Sequence, residues 1–225
     1  MNSSSLSMFL LLLILMITIS NYFVANKTEY SIRAQKDILE SAPRKIHREF
    51  YQRVLPEAIC KEKVRIGERD DGGKYVCKPE VVMDQEECTI MSLGLNNQIG
   101  FDEYIAKVTG GKCMILGADK DEQRQDIKNK YAAINGKLFA GLIPKEITIP
   151  EMMKNPDEQI FIELLGTTFE HLRMLQVMAK YNFRIFNVDP NYICNHCCEY
   201  SLINENCMEK YGVIPLAITI PKETL

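Results

Sequence analysis

The sequence predicts an α/β fold built around a mostly parallel β-sheet, and three observations lead to that prediction. Residues 88–119 contain two short apolar runs, 89–93 and 113–116, separated by a helical pattern. Two buried strands joined by a helix form a βαβ unit, whose strands are parallel. Further along, an amphipathic helix is followed by two extended runs, 183–188 and 198–203, which predict a β-hairpin.

The helix of the βαβ unit is predicted from apolar residues that recur at intervals of three and four. They are Phe101, Tyr104, Ile105 and Val108. Gly110 and Gly111 follow and end the helix, since glycine is common just past a helix C-terminus. The second strand is closed by Gly117 and ends on Asp119.

Gly94 and Asp119 stand where the two parallel strands end, and we predict a ligand site there. In an α/β sheet the ligand lies beyond the carboxyl ends of the strands, where a glycine lets the backbone approach and a carboxylate can hold ribose hydroxyls. Gly94 stands nearly alone, whereas a dinucleotide fingerprint needs three glycines. A ligand with a ribose but no pyrophosphate, such as S-adenosylmethionine, fits better. The alternative is that Gly94 only makes the turn and Asp119 is a solvated carboxylate.

Length and charge limit the possible functions. The chain has 225 residues, which is enough for one domain with a full-sized core after an N-terminal segment. The formal net charge is −3, so the sequence shows no electrostatic footprint for nucleic acid. We therefore expect a small-molecule ligand and no nucleic-acid partner.

The N-terminus predicts contact with a membrane. Residues 8–19 are almost unbroken hydrocarbon, which suits a spanning helix and also a signal-peptide core. We assign residues 1–25 to a signal-anchor or signal peptide, residues 26–57 to a polar stem, and residues 58–225 to the domain.

The side of the membrane on which the domain lies is predicted from opposing features. Lys27, Arg33 and Lys36 follow the apolar segment, and by the positive-inside rule they would stay in the cytoplasm. Asn26 begins a glycosylation acceptor, and the eight cysteines suit an oxidising lumen. We favour a single-pass membrane protein of the secretory pathway with a lumenal or extracellular domain, secreted if the N-terminal segment is cleaved.

A further hairpin is predicted before the βαβ unit. Val64 and Ile66 precede the turn at residues 70–73, and Asp-Gly between extended runs is typical of a hairpin. Two interpretations remain open. The hairpin either lies on the surface, or its loop covers a ligand pocket to which Asp70 or Asp71 contributes a carboxylate.

The C-terminal third begins with a helix. Thr167 and Glu170 have the spacing of a capping box ahead of a helix that runs to about Lys180, on which we predict His171 to be exposed. The loop after the next strand contains a cluster of residues that can bind metals, namely Cys194, His196, Cys197 and Cys198. Zinc sites use two separated pairs of ligands, which this tight cluster does not supply. We predict disulfides and no metal there, with a pairing that the sequence leaves open.

Several segments resemble those of a known family. The resemblance rests on RIGERDDGGKYVC, on CTIMSLGLNNQIGFDEYI followed by GAD, and on FRIFNVDPNYICNHCCEYSLI. These are similar to segments of the membrane-anchored, methyltransferase-like proteins of animals, which are related to FkbM-type methyltransferases. The resemblance covers most of the chain from about Val64 onward. It implies a class I methyltransferase fold, which is a Rossmann-like sheet of about seven strands with one antiparallel edge strand, and S-adenosylmethionine as cofactor.

The resemblance also implies a set of cofactor-binding residues. They are Ser92, Leu93, Gly94, Asp119, Asp71 and Gly72. The first three would form the turn against the amino-acid portion of S-adenosylmethionine, Asp119 would take the ribose hydroxyls, and the loop with Asp71 and Gly72 would lie nearby. Lys120 follows Asp119 where many relatives have a proline, which weakens the ribose assignment.

The segment after residue 149 departs from the family pattern. Relatives have an acidic motif at the end of a fourth strand, whereas this chain passes through Pro156 straight to QIFIELLG. Either residues 160–165 are the fifth strand, and the central fourth strand with its helix is absent, or they occupy the fourth position with Glu163 replacing the missing carboxylates. We expect the first arrangement, in which the first strand pairs directly with residues 160–164.

Three functions follow from these patterns. We favour an S-adenosylmethionine-dependent methyltransferase-like protein, whose acceptor the resemblance suggests is a hydroxyl; without the fourth strand, catalysis should be impaired or absent. Glu163 is the catalytic candidate on the acceptor side, with a structural strand-end carboxylate as the alternative. The other functions are a non-catalytic binding or structural relative and a nicotinamide-dependent oxidoreductase, which the missing glycines disfavour.

Overall fold

The structure is a computed structural model, and it describes residues 3–68, 72–83, 88–143, 145–152 and 159–222. From residue 88 to residue 190 strands and helices alternate. The helices are α1 (Ser3–Ser41), α2 (His47–Arg53), α3 (Glu80–Met83), α4 (Gly100–Val108), α5 (Gln125–Ala133), α6 (Ile149–Met152) and α7 (Thr168–Lys180). The strands are β1 (Ala58–Ile59), β2 (Lys63–Ile66), β3 (Lys74–Cys77), β4 (Cys88–Leu93), β5 (Cys113–Asp119), β6 (Gly136–Ala140), β7 (Gln159–Leu165), β8 (Phe183–Pro190), β9 (Cys197–Asn204) and β10 (Ile214–Pro215).

Within the described ranges, the central sheet has six strands in the order β6-β5-β4-β7-β9-β8. Strand β4 is parallel to both β5 and β7, and β5 is parallel to β6. Strand β9 is antiparallel to both of its neighbours. The predicted mostly parallel α/β sheet is therefore confirmed. The antiparallel strand does not lie at the edge, where the sequence placed it, because the β8–β9 hairpin joins the sheet through its second strand and leaves β8 outermost.

Strands β4 and β7 are hydrogen-bonded neighbours, with Leu93 opposite Ile162, so no strand lies between them. Strand β7 leads through α7 into the β8–β9 hairpin and pairs with β9, which is the position of a fifth strand in the seven-strand order. The expected direct pairing of the first strand with residues 160–164 is thus confirmed. Residues 153–158, where part of the departure from the family pattern falls, lie outside the described ranges.

The pairing of β4 with β7 brings two backbones very close together at Gly94. This residue has a φ of +87°, which L side chains rarely adopt, and a Cβ there would lie 2.3 Å from the carbonyl oxygen of Glu163. The amide of Gly94 donates to the carbonyl of Ala118 at 2.8 Å, which extends the ladder to β5. Packing alone therefore requires glycine at this position.

Helix α1 continues past its apolar segment into the core of the domain. Ile38 is fully buried in the same cluster as Phe50 of α2 and Ile160 of β7. The capping box predicted from Thr167 and Glu170 is present at the start of α7, which covers the sheet beside α1. The segment predicted to be a stem therefore contributes core residues, because one face of its helix is apolar.

Helix α1 runs toward the carboxyl ends of the parallel strands. Near its C-terminal half, the side chain of Gln35 donates to the carbonyl of Ile218 at 3.2 Å. Glu57 connects the residues that follow Ile218 to the start of β8. Beyond the helix, the carbonyl of Ala42 accepts from Thr168 at 2.6 Å, next to the carboxyl end of β7. The apolar half of α1 therefore leaves the domain on the side of the amino ends of the strands.

All eight cysteines lie in the described ranges, and six of them form three disulfides. These are Cys60–Cys77, Cys88–Cys113 and Cys194–Cys197. The second joins the first residues of β4 and β5, which lie opposite each other. The other two cysteines are Cys198, which is buried, and Cys207, which is half-buried. The prediction of disulfides is confirmed.

Substitution of Gly94 by alanine should destabilise the fold far more than the same change at Gly110. Both glycines have positive φ, +87° and +63°, but nothing lies within 4 Å of a Cβ placed at Gly110. Gly110→Ala should cost about 1–2 kcal/mol for backbone strain, whereas in Gly94→Ala the new methyl group also collides with the Glu163 carbonyl. Denaturant unfolding measures both losses, and equal values would contradict the close packing of β4 on β7.

Candidate functional site

Gly94 and Asp119 lie side by side at the carboxyl ends of β4 and β5. The Asp119 carboxylate accepts the backbone N–H of Asn96 at 2.6 Å, in the turn directly after Gly94, and that of Asp121 at 3.2 Å. Both Gly94 and Asp119 are half-exposed. The two residues thus share one rim, which we call the nucleoside rim and define by Gly94, Asp119 and the turn at residues 95–99.

The nucleoside rim retains hydrogen-bond acceptors and adjoins a cavity. Each carboxylate oxygen of Asp119 has lone pairs beyond the one it offers to the backbone, so it can still accept hydroxyl groups. A cavity of about 350 Å³ is lined in part by Gln123, Leu138, Phe139 and Ala140. Ala140 is the neighbour of Asp119 in the sheet. A cavity of this volume with a mixed apolar and polar lining suits a small molecule.

The other residues predicted to bind the cofactor lie in different surroundings. Ser92 and Leu93 are buried, and the hydroxyl of Ser92 interacts with the carboxyl group of Asp102 in the interior. A Cβ on Gly72 would lie 3.7 Å from the amide oxygen of Gln98, so the β2–β3 hairpin approaches the turn of the nucleoside rim. Asp70 and Asp71 lie outside the described ranges.

Three carboxylates form a row across the adjacent half of the sheet. Glu163 of β7 is opposite Glu199 of β9, which in turn is opposite Asp189 of β8. Residues directly opposite each other in a sheet project from the same face. We call these three residues the acidic row; it begins directly beside Gly94, because the Glu163 backbone contacts that glycine.

The β2–β3 hairpin supplies two cations that pair with the three carboxylates of the acidic row. The ammonium group of Lys74 lies 3.0 Å from the Glu199 carboxylate and 3.3 Å from that of Glu163. The guanidinium of Arg65 lies 3.0 Å from the Asp189 carboxylate. The Lys74 side chain is only 6% exposed, so these charges are largely withdrawn from water. Burial raises the pKa of Glu199, and the charge of Lys74 opposes that rise.

Glu163, the predicted residue of the acceptor side, is therefore not a free carboxylate. One oxygen of its carboxylate lies 3.3 Å from the ammonium group of Lys74, while the side chain as a whole remains partly exposed.

A second buried carboxyl group lies beneath the nucleoside rim. Asp102 in the first turn of α4 is 1% exposed and accepts the hydroxyl of Tyr131 at 2.8 Å. Burial raises the pKa of Asp102 to about 6, while the hydrogen bonds from Tyr131 and Ser92 act in the opposite direction. This pair joins α4 to α5 across the edge of the sheet.

His171 is fully buried, so the prediction that it is exposed is wrong. Its Nδ1 lies 2.9 Å from the hydroxyl of Tyr200, and its Nε2 lies 3.2 Å from the carbonyl oxygen of His196. Helix α2 covers this face of α7, with the ring of Tyr51 centred 5.4 Å from that of His171. Burial lowers the pKa of His171 to about 4.

The cysteine-rich loop contains the residue types that bind metals, but its cysteines are oxidised. The ligand atoms of Cys194, His196 and Cys197 lie within 4.8 Å of one another. The two cysteines, however, form a disulfide, whereas zinc binds cysteine as the thiolate. In this state the cluster lacks two of its three ligands.

The strand order and the antiparallel β9 define a Rossmann-like fold of the class I methyltransferase type. A family model described as a methyltransferase domain matches residues 22–134, which is half of the chain, and the chain belongs to that family.

Solved structures and curated proteins were also compared with the chain. One match is a structure titled as a SAM dependent methyltransferase from Aquifex aeolicus. The match covers 56% of this chain and 90% of that structure's chain, with 14% sequence identity and a TM-score of 0.32. A likeness at this level is too weak to transfer a ligand or a reaction. No curated protein matches the sequence.

Sequence reasoning did not find Lys74, Glu199 or Asp102. For Glu199 a signal was available, because it is a charged residue within the otherwise uncharged stretch CCEYSLIN. Nothing in the sequence distinguishes Lys74 from a surface lysine that follows a turn. Asp102 reads as an ordinary acidic residue in the first turn of a helix, which is where such residues are common.

Replacement of Lys74 by methionine should destabilise the fold by roughly 3 kcal/mol at neutral pH, because two partly buried carboxylates lose their counter-charge. The loss should shrink at pH 4.5, since protonated carboxyl groups need no cation. Lys130→Met is the control, because Lys130 lies 3.5 Å from Glu103 on the surface and both side chains are exposed; it should cost less than about 1 kcal/mol. Denaturant unfolding at both pH values distinguishes the variants, and similar losses would contradict the role of Lys74.

Asp102 should make the fold less stable as the pH rises from 4 to 7. Its pKa is raised from 3.8 to about 6 in the folded chain, so the folded state holds a proton that the unfolded state releases in this interval. Up to about 3 kcal/mol is lost across it. Asp102→Asn keeps an acceptor for Tyr131 and should remove this contribution. The difference in unfolding free energy between wild type and variant, measured at pH 4 and pH 7, should therefore change; a constant difference would argue against a raised pKa.

Proposed function

We propose that the protein is an S-adenosylmethionine-dependent methyltransferase-like protein that binds its cofactor at the nucleoside rim. The observation that supports this most is the placement of a half-exposed Asp119 next to Gly94, at the ends of two adjacent parallel strands. Membership of a methyltransferase domain family supports a methyl donor over a nicotinamide. The single glycine at the first turn also disfavours a dinucleotide.

Different residues of the chain would bind different parts of S-adenosylmethionine. Asp119 would accept the ribose hydroxyls, and the cavity lined by Leu138 and Phe139 would take the adenine. Gly94 would let the backbone of the turn approach the amino-acid portion, with Ser92 and Leu93 supporting that turn from the interior. Gly72 lies in the hairpin beside the turn and would border the cofactor, together with Asp71, which precedes it in the sequence. When bound, S-adenosylmethionine supplies an electrophilic methyl group.

We further propose that the methyl acceptor is a hydroxyl group that approaches from the acidic row. The resemblance to FkbM-type methyltransferases supports a hydroxyl, and Glu163 is the carboxylate of the row nearest to the nucleoside rim. A hydroxyl must lose a proton as it is methylated, and a carboxylate within hydrogen-bonding distance can accept it. Displacement of the Lys74 ammonium group by the acceptor would free Glu163 for that role.

A second candidate function is a non-catalytic relative that binds a ligand or a partner without methyl transfer. Two observations favour it. The carboxylates of the acidic row are paired with Lys74 and Arg65 rather than left open. In addition, β7 occupies the place beside β4 and packs its backbone on Gly94, where the seven-strand fold has its central fourth strand.

We also propose that α1 anchors the domain to a membrane of the secretory pathway, with the domain on the lumenal or extracellular side. Within the described ranges α1 contains a stretch long and apolar enough to cross a membrane, a property that N-terminal signal sequences share. The disulfides and the exposed Asn26 support an oxidising compartment. Since α1 runs toward the carboxyl ends of the strands, the nucleoside rim would face away from the membrane, which favours a soluble acceptor.

Asp119→Ala should weaken the binding of S-adenosylmethionine by at least about tenfold, because hydrogen bonds to a charged group contribute roughly 1.5–3 kcal/mol. Asp121→Ala removes an exposed carboxylate two residues away and should leave the affinity unchanged. Isothermal titration calorimetry measures both. An absence of binding by the wild-type chain would reject the proposal, and an equal loss in both variants would remove Asp119 from the site.

Methyl transfer separates the two candidate functions once binding is established. The wild-type chain is incubated with methyl-labelled S-adenosylmethionine and a panel of hydroxyl-bearing acceptors. Label on an acceptor, abolished by Glu163→Gln, supports catalysis with Glu163 as the proton acceptor. Binding without transfer to any acceptor supports the non-catalytic relative.

A further inference from the structure

The loop between β8 and β9 contains a Cys-X-X-Cys sequence, Cys194-Asn195-His196-Cys197, whose two cysteines form a disulfide. We propose that this disulfide is a redox-active site that exchanges with a small thiol of the glutathione type, which attacks the sulfur of Cys194. The inference does not depend on cofactor binding at the nucleoside rim.

The two sulfurs of this disulfide differ in their access to solvent. Cys197 is the first residue of β9 and only 4% exposed, whereas Cys194 is half-buried in the loop that precedes the strand. Tyr192 and Ile193, just before Cys194, are almost fully exposed. A thiol arriving from solvent therefore reaches Cys194 and not Cys197, which makes Cys194 the attacked sulfur and Cys197 the leaving group.

Hydrogen bonds hold the loop in its shape independently of the disulfide. The side-chain oxygen of Asn191 accepts the N–H groups of Ile193 at 2.9 Å and of Cys194 at 3.2 Å. The N–H of Cys197 donates to the carbonyl of Cys194 at 2.9 Å, and the N–H of Asn191 donates to the carbonyl of Cys197 at 3.1 Å. After reduction the two thiols would remain close together, so the disulfide can form again. The loop geometry therefore allows the Cys194–Cys197 disulfide to be reduced and formed again.

His196 lies between the two cysteines and is exposed. Its ring nitrogen is within 4.8 Å of both sulfurs. A histidine so close to a cysteine can stabilise the thiolate or carry its proton, and it is the thiolate that reacts in exchange. The loop thus contains a proton carrier at the position where the leaving sulfur needs one.

The other two disulfides are placed for stability. They close chain segments with sequence separations of 17 and 25 residues, against 3 for Cys194–Cys197. A disulfide that closes a longer loop removes more entropy from the unfolded chain. Cys77 and Cys113 are also fully buried. Reduction of Cys194–Cys197 therefore costs the fold least.

The neighbouring thiol of Cys198 does not compete in the exchange. Burial raises the pKa of Cys198 to about 12, so it stays protonated and is a poor nucleophile at neutral pH. Its side chain is fully buried behind β9.

The exchange balances as two substitutions at sulfur. The thiolate of the small thiol attacks Cys194 Sγ, a mixed disulfide forms, and the bond to Cys197 Sγ breaks with release of the Cys197 thiolate, which takes a proton. A second thiolate attacks the sulfur of the bound small thiol and releases the Cys194 thiolate together with the oxidised small-molecule disulfide. Two thiols are oxidised, and one protein disulfide is reduced.

The exchange site adjoins the end of β7. The N–H of Gly166 donates to the carbonyl of His196 at 3.2 Å, and the same carbonyl contacts the ring of His171. The first contact holds the loop against the end of the strand that carries Glu163, and the second holds it against α7. Because both use the carbonyl of His196 and no cysteine sulfur, they persist in either redox state.

A redox titration of the full chain tests the proposal. The protein is equilibrated at increasing ratios of reduced to oxidised glutathione, its thiols are alkylated, and each cysteine is quantified by peptide mass spectrometry. Cys194 and Cys197 should become alkylated together. The ratio of reduced to oxidised glutathione at which this happens should be roughly tenfold or more below the ratio that the other two pairs need. Reduction of all three disulfides together, or of Cys194–Cys197 last, would overturn the proposal.

Two single substitutions test which sulfur is attacked. Cys197→Ser leaves Cys194 alone and should capture glutathione as a mixed disulfide at least about tenfold more readily than Cys194→Ser, in which only the buried Cys197 remains. Equal capture would overturn the assignment of Cys194.

His196→Gln should slow the exchange of the intact disulfide severalfold, whereas Asn195→Ala, in the same exposed loop, should leave the rate unchanged. Equal rates in these two variants would remove His196 from the mechanism.

Discussion

The direct pairing of β4 with β7 is the constraint on which the rest of the structure depends. It brings the Glu163 carbonyl so close to the end of β4 that only a glycine fits at position 94. It also places the Glu163 side chain beside the turn of the nucleoside rim, and Glu199 directly opposite Glu163. Two carboxylates on one face of a sheet, both partly withdrawn from water, require a cation. Lys74 of the β2–β3 hairpin supplies it, which explains why that hairpin lies on this end of the sheet.

The carboxyl end of the sheet is thereby divided into two parts with different electrostatics. Around Asp119 the charge is half-exposed and accepts two backbone N–H groups, an arrangement that leaves the carboxylate available to further hydroxyl donors. In the acidic row the carboxylates are bound to Lys74 and Arg65 beneath a hairpin. The two parts therefore differ in how far their carboxylates are already engaged by charged partners.

The features that could be predicted from the sequence are those that depend on residues close together in the chain. The βαβ unit at residues 88–119 and the capping box at Thr167 follow from local periodicity and spacing, and both are present. The adjacency of Gly94 and Asp119 follows from the parallel order that a βαβ unit imposes. Even the pairing of residues 160–164 with the first strand could be predicted, because the chain between residues 149 and 160 is too short for a further strand and helix.

The remaining features depend on contacts between distant segments, and no local pattern encodes them. Lys74 and Glu199 are 125 residues apart along the chain and meet only after the hairpin packs on the sheet. His171 looks like a surface residue until α2, from the segment predicted to be a stem, covers it. The antiparallel strand reads as an edge strand because its sequence does not state which strand of the hairpin joins β7. In each case tertiary packing decides what local sequence leaves open.

The covalent and polar attachments of the hairpin determine how the acidic row can open. Cys77, three residues after Lys74 in β3, is held by the disulfide to Cys60. Its N–H donates to the side-chain oxygen of Gln159 at 3.0 Å, and its carbonyl accepts the side-chain N–H of Gln159 at 2.8 Å, both in the buried interior. Lifting the hairpin would break all of these buried hydrogen bonds at once, which is costly. The Lys74 side chain, by contrast, has four rotatable methylene bonds and can swing away from Glu163 while its backbone stays in place. Access to Glu163 and Glu199 therefore depends on the movement of the Lys74 side chain, which can occur without disturbing the fold.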